Sequence, residues 1–202
     1  MFEWGLNWVI ANHAHQYAIV HAATVEKNGR GFIFPGAPGS GKSTLCAALV
    51  CKGWRLLSDE MALVSINGGL IWPIPRPVSL KNSSIEIIRK FGGDVVIGDV
   101  VAETAKGNIA HMRPPKTSVQ AVTSPVVPFA VVFPTYSADT ETDFAEISKG
   151  RTLMRLAENC FNFSVLGAAG FNCLADTVEK CHCHTLVYSS LDNAIAAIEG
   201  LA

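Results

Sequence analysis

Residues 36 to 44 read Gly36-Ala37-Pro38-Gly39-Ser40-Gly41-Lys42-Ser43-Thr44, a complete G-x-x-x-x-G-K-[ST] run. Its chemistry is anion binding. Glycines at 36, 39 and 41 allow tight, positive-φ turns that bring bare backbone N–H groups up to a phosphate. Lys42 adds a mobile charge for β- and γ-phosphates, and the Ser43 hydroxyl is placed to ligate Mg²⁺. The alternative is a Gly/Pro-rich surface turn that happens to contain Lys-Ser. The flanks argue against it. Gly31 to Pro35 is short and apolar, as a buried strand is. Ser43 to Val50 holds no Gly or Pro and suits a helix, whose N-terminus adds its positive dipole end to the anion site.

Arg55-Leu56-Leu57-Ser58 reads as a second buried strand, and it ends in Asp59-Glu60. A carboxylate beside a phosphate loop can hold Mg²⁺, directly or through water. A second can accept a proton from an attacking hydroxyl. Successive strand residues point apart, so the two acids divide these jobs. The bland alternative is a solvated strand end. His21 falls inside an apolar stretch, Tyr17 to Glu26, expected to be one strand beside that of the phosphate loop. It is either a core histidine satisfied by one backbone bond, or close enough to Asp59 to tune that acid or share its proton. Lys149-Gly150-Arg151 precedes an expected helix and is either an anion pocket or an ordinary basic turn. Arg76, Lys81 and Lys106-Gly107 are weaker candidates for touching phosphate or substrate.

Around these residues stands one domain of 202 residues, long enough for a substantial core. Hydrophobic residues make up 49% and charged ones 16%, a greasy mix that hints at subunit contacts. A net charge of −1 supplies no basic field for nucleic acid. No apolar run is long enough to span a bilayer, and Glu3 with scattered Trp does not make a signal peptide. A cytoplasmic location and reduced thiols are expected. Cys181-His182-Cys183-His184 resembles a metal cluster at first sight. On the strand expected there, cysteines and histidines face opposite sides and cannot converge on one tetrahedral ion.

The remaining elements follow from periodicity and turn residues. An amphipathic helix is expected from residue 3 to about 15, with Leu6, Val9, Ile10 and His13 on one face. Hairpins are expected at Asn28-Gly29 and about Asn67-Gly68-Gly69, and Gly53 should stop the phosphate-loop helix. Pro73, Pro75 and Pro77 make residues 72 to 80 an extended crossing rather than an element. Asn82 is expected to cap a helix through about Phe91. Residues 92 to 127 read as loop-rich with a strand near 108 to 112, and 129 to 133 as a strand. A long helix is expected from Gly150 to about Leu166, then a second to about Val178, a strand over 183 to 188 and a last helix over 191 to 198. The fold class is α/β with a mixed central sheet flanked by helices.

With these residues in place, the chain resembles the HPr kinase/phosphorylase family, closest to its HPr kinase-related kinase A branch. The similar blocks are Ile19 to Ala23, Pro35 to Thr44, Gly53 to Glu60, Pro75 to Asn82, Lys106-Gly107, Gly150-Arg151, Asn159 to Phe163, Gly170-Phe171 and Tyr188 to Asp192. The resemblance implies a P-loop kinase domain related to phosphoenolpyruvate carboxykinase rather than to eukaryotic protein kinases, using ATP and Mg²⁺, and it suggests an oligomer. It makes His21 the active-site histidine, Lys42 and Ser43 the phosphate and Mg²⁺ residues, Asp59 the base, Glu60 the acid nearer the metal, and Arg151 a phosphate-gripping arginine. The chain departs from the family in having Asp59-Glu60 for Asp-Asp. It also lacks a clear counterpart to a later acid before an Arg-Gly pair, the nearest residue to that place being Thr104. The longer N-terminal part usual in that family is not in this sequence. The expected function is transfer of the ATP γ-phosphoryl group to a serine of a protein or peptide. The alternative is an ATP-binding regulatory module with little or no kinase activity.

Overall fold

The computed structural model describes residues 2–105 and 107–202. Helix α1 (Phe2–His13) leads into β1 (Tyr17–Val20), and after a bend at His21 the chain continues as β2 (Ala22–Lys27). Asn28 and Gly29, both at positive φ, turn β2 back into the antiparallel β3 (Arg30–Pro35). The phosphate loop then opens α2 (Lys42–Cys51), and β4 (Arg55–Ser58) precedes the antiparallel pair β5 (Ala62–Ser65) and β6 (Ile71–Trp72). Next come β7 (Val78–Lys81), α3 (Ser83–Phe91), β8 (Val101–Thr104), β9 (Gly107–Met112) and the short α4 (Lys116–Gln120). The rest is β10 (Val127–Tyr136), β11 (Asp143–Glu146), α5 (Lys149–Glu158), α6 (Phe163–Leu166), α7 (Ala168–Lys180), β12 (His182–Tyr188) and α8 (Leu191–Glu199).

The chain is mixed α/β, but among the described residues its strands form three sheets rather than one. A six-stranded mixed sheet has the order β11-β12-β10-β3-β2-β4, and two three-stranded sheets have the orders β1-β5-β6 and β7-β9-β8. Two local features account for the difference. The bend at His21 splits the strand expected over 17 to 26, so β1 pairs with β5 while β2 pairs with β3 and β4. Beyond the prolines, Val78-Ser79-Leu80-Lys81 is a true strand, with Val78 and Leu80 in the core and Ser79 and Lys81 on the other side.

The central sheet carries a core on each face. Phe32, Phe34, Leu56 and Val132 pack with Leu45 and Leu49 of α2, Ile88 of α3 and Ile195 of α8. Ile33, Leu57, Val131 and Phe133 point the other way, against Leu156 of α5, Leu174 of α7 and Val64 of β5. Each such side chain, fully removed from water, contributes about 1.5–3 kcal/mol. α1 lies outside this frame. Ile10, Ala11 and Ala14 pack on Ile19, Met61 and Leu63, while Leu6, Trp8 and Val9 remain exposed, so the buried face is not the one expected from Leu6, Val9, Ile10 and His13.

The long helix expected to reach Leu166 stops at Glu158. Asn162 is buried and turns its side chain to β1, its Oδ1 accepting the Ile19 N–H at 3.0 Å and its Nδ2 donating to the Tyr17 carbonyl at 2.9 Å. An amide that satisfies a strand edge this way competes with the helix. On β12, Cys183 faces the second core together with the preceding Cys181, while His184 stacks on Phe144 with centroids 4.4 Å apart. Among the described residues no cluster of three or more His, Cys, Asp or Glu side chains is arranged to hold a metal, and all six cysteines are free. No helix there is long and apolar enough to cross a membrane.

Candidate functional site

Sheet direction brings the chemistry together. β3 and β4 both run antiparallel to β2, so both end at the edge where β2 begins. Ala22 pairs with Pro35 and Thr24 with Ser58, which places His21, Gly36 and Asp59 at the same end of three adjoining strands. β10 runs parallel to β3, and β12 parallel to β10, so Tyr136 and Tyr188 finish at that end too. These residues frame a cleft of about 1320 Å³ whose walls include Lys42, Ser43, Asp59, Glu60 and His21.

The phosphate loop is wedged between the tyrosines and α2. The Tyr136 N–H donates to the Ser40 carbonyl at 3.1 Å, and the Tyr188 hydroxyl donates to the Gly41 carbonyl at 3.1 Å. Gly41 has φ 91, and a Cβ there would sit 2.5 Å from that hydroxyl, so no other residue fits without displacement. Gly39 is also at positive φ, whereas Gly36 is not; a Cβ on Gly36 would meet Ser40 Oγ at 2.9 Å. The first intrahelical bond of α2 runs from the Leu45 N–H to the Gly41 carbonyl at 2.9 Å. The amides of Lys42, Ser43 and Thr44 precede it, no side chain caps the helix, and its first turn holds no acid. That arrangement is open to an anion. Lys42 is buried, and its ammonium folds back to donate to the carbonyls of Gly36 (2.5 Å) and Ala37 (3.0 Å). Burial lowers its pKa, against the pull of Glu60 and Asp59.

The two acids differ sharply. Asp59 is 4% exposed, and burial, with the Glu60 charge next in weight, pushes its carboxyl up to about 7. The Ser79 N–H donates to Asp59 Oδ2 at 3.1 Å and works the other way, as do the Ser43 hydroxyl and Lys42. Asp59 Oδ1 is buried without a well-formed hydrogen bond, although Ser43 lies near enough to stabilise its charge. Glu60 instead meets His21, with Nε2 3.7 Å from Oε2, and this contact is the main reason its pKa is lowered. The acid His21 pairs with is therefore Glu60 rather than Asp59. His21 sits at the bend between β1 and β2, not within a strand. Its own N–H donates to the Asn159 carbonyl at 2.8 Å, and its ring lies 5.5 Å from that of Phe161.

The basic candidates separate in the same way. Arg151 is exposed on the first turn of α5 and lines no part of the cleft. Lys149 donates to the carbonyls of Val178 (2.7 Å), Glu179 (2.9 Å) and Cys181 (2.5 Å), closing the C-terminus of α7 rather than an anion pocket. Arg76 donates to Asn7 Oδ1 at 2.7 Å. Lys106 lies outside the described residues. Lys81 does line the cleft, on the same side of β7 as Ser79. Asn82 stands at the N-cap of α3, but its Oδ1 accepts the Asn108 N–H at 3.1 Å and caps no helix amide. Sequence reasoning gave no role to Ser79, the two tyrosines or Phe161. The alternation at 78 to 81 is a signal that could have found Ser79.

A protein-family model described as SynChlorMet cassette protein ScmC matches residues 2–77. That stretch takes in α1, His21, the phosphate loop and Asp59-Glu60, and ends just before β7. The resemblance to the HPr kinase/phosphorylase family is corrected by this finding, since the family model that matches is the ScmC one. The roles that resemblance lent to His21 and Arg151 fall with it, and those residues stand on geometry alone. No curated protein matches the chain.

Proposed function

We propose that this is a nucleotide-binding phosphotransferase domain with a P-loop, which moves the γ-phosphoryl group of ATP to a hydroxyl, such as a serine, of a protein or peptide. The observation that carries the reading is the junction of an uncapped glycine loop with a buried carboxyl at one sheet edge. The loop amides and Lys42 suit a polyphosphate. Asp59, held near neutrality, suits a general base, because such a group is unprotonated often enough to accept a hydroxyl proton and basic enough to hold it. Lys42 leaves its carbonyl partners to hold charge on the migrating group. The His21 contact lowers the pKa of Glu60, which favours its ionised form.

The donor set also fits Mg²⁺. Ser43 and Glu60 offer hard oxygen ligands, and the unbonded Asp59 Oδ1 is a third oxygen beside them. Bound there, the ion would neutralise phosphate charge.

The test is incubation with γ-labelled ATP, Mg²⁺ and serine-containing acceptors. Label on a serine that disappears in Lys42→Ala and Asp59→Asn is the expected result. A second reading, an ATP-binding regulatory module, draws support from the position of Arg151 outside the cleft. Firm ATP binding with no label on any acceptor would favour it. Unchanged turnover in Lys42→Ala would remove the phosphate-loop argument altogether.

A further inference from the structure

The cleft holds a second cation that the phosphate-loop pattern does not include. We propose that Lys81 is a phosphate-binding residue of this site, engaging the terminal phosphate of a nucleoside triphosphate alongside Lys42. The proposal rests on the nucleotide reading above and adds the residue that would distinguish a triphosphate from a diphosphate.

Five observations support it. Val78 and Leu80 are buried in the core, so strand alternation turns Ser79 and Lys81 toward the cleft that both of them line. The Ser79 amide holds Asp59 at 3.1 Å, which puts the free backbone edge of β7 beside that acid. The Lys81 backbone is fixed on both sides by one hydroxyl: its N–H donates to Ser84 Oγ at 2.7 Å, and Ser84 Oγ donates to its carbonyl at 2.7 Å. Pairing with Ile109 of β9 anchors the strand further. The side chain is half-buried, and its ammonium makes no hydrogen bond or ion pair among the described residues. Its charge is nonetheless felt by Lys42 and by Glu60, so it lies within electrostatic reach of both.

A phosphoryl group passing between Lys42 and Asp59 brings negative charge toward two carboxylates. Arg151, on the exposed start of α5, is not in the cleft to offset it. Lys81 is, and a lysine is suited to follow a moving phosphate as a point charge.

Calorimetric titration of the full chain with Mg–ATP and with Mg–ADP tests this, using wild type, Lys81→Met and Lys81→Arg. Met keeps the stem length and removes the charge, and a wild-type circular dichroism spectrum would show the fold intact. Loss of one charge-assisted contact predicts ATP binding about tenfold weaker in Lys81→Met, a change of less than about twofold for ADP, and substantial recovery in Lys81→Arg. Should Lys81→Met fail to fold, Lys81→Gln against Lys81→Arg gives the same comparison. Equal losses for both nucleotides, or an unchanged ATP affinity, overturn the assignment while leaving the nucleotide site standing. A wild-type chain that takes up neither nucleotide overturns both.

Discussion

Asp59→Asn should make the free protein more stable above neutral pH while abolishing phosphoryl transfer. The reasoning starts from burial. Asp59 is 4% exposed, and burial pushes its carboxyl from the ordinary carboxylate range up to about 7. Below about pH 4 the carboxyl is protonated in the folded and unfolded chains alike, and it imposes no pH dependence. Between about pH 4 and 7 only the unfolded chain releases the proton, so each unit of rising pH costs the fold about 1.4 kcal/mol. Above about pH 7 the loss is complete, at about 4 kcal/mol. Asparagine never ionises, and its amide oxygen can still accept the Ser79 N–H that now bonds Oδ2. Urea unfolding of wild type and Asp59→Asn at about pH 5 and about pH 8 measures the effect, and the gap should widen in favour of the variant by about 3 kcal/mol. A gap that does not change with pH would show that Asp59 is ionised when folded, and the general-base argument would fail with it.

Two further outcomes follow from the same geometry. His21→Ala removes the main influence that lowers Glu60, so the Glu60 pKa should rise and the acidic limb of the transfer rate should move to higher pH, read from a pH–rate profile. An insoluble variant would mean that His21 serves the core instead. Lys149→Ala should destabilise the chain by about 1 kcal/mol in urea, because three carbonyls at the end of α7 lose their cationic donor. Nucleotide affinity should be unchanged, and a fall in ATP binding without loss of stability would return Lys149 to the anion site.

The glycine loop between β3 and α2 and the strand before Asp59 were legible because their determinants are local. Glycine spacing, an apolar run and a carboxylate at its end need no distant partner to be read. The hairpin at Asn28-Gly29 belongs to the same class, since its turn residues set their own backbone angles. What sequence reasoning missed depends on contacts far along the chain. The bend at His21 is held by Asn159, and the break after Glu158 by Asn162 reaching back to Tyr17 and Ile19 across more than a hundred residues. No periodicity in either segment announces that pairing. The prolines before residue 78 hid a four-residue strand whose alternation was visible, and with it the side of β7 that faces the acids. Arg151 was singled out for its place before a helix, but the direction of α5 decides where that arginine goes, and local spacing does not encode it.

The polar groups left unbonded around the loop and the cleft suit one kind of ligand. Asp59 Oδ1 and Ser40 Oγ are buried without a hydrogen bond, and the first amides of α2 have no cap. Lys42 is turned onto carbonyls of its own loop, where burial lowers its pKa. Each group is unfavourable alone, and a fold selected for stability alone would replace Asp59 with an apolar or amide side chain. The groups are also mutually complementary: amides and an ammonium for an anion, carboxylate oxygens and a hydroxyl for a hard cation. A magnesium–polyphosphate ligand would relieve all of them at once, which predicts a marked rise in thermal midpoint with Mg–ATP and a much smaller one with Mg²⁺ or AMP alone. Equal shifts from AMP and ATP would mean that the loop is not the part of the cleft that binds, and the case for phosphoryl transfer would lose its anchor.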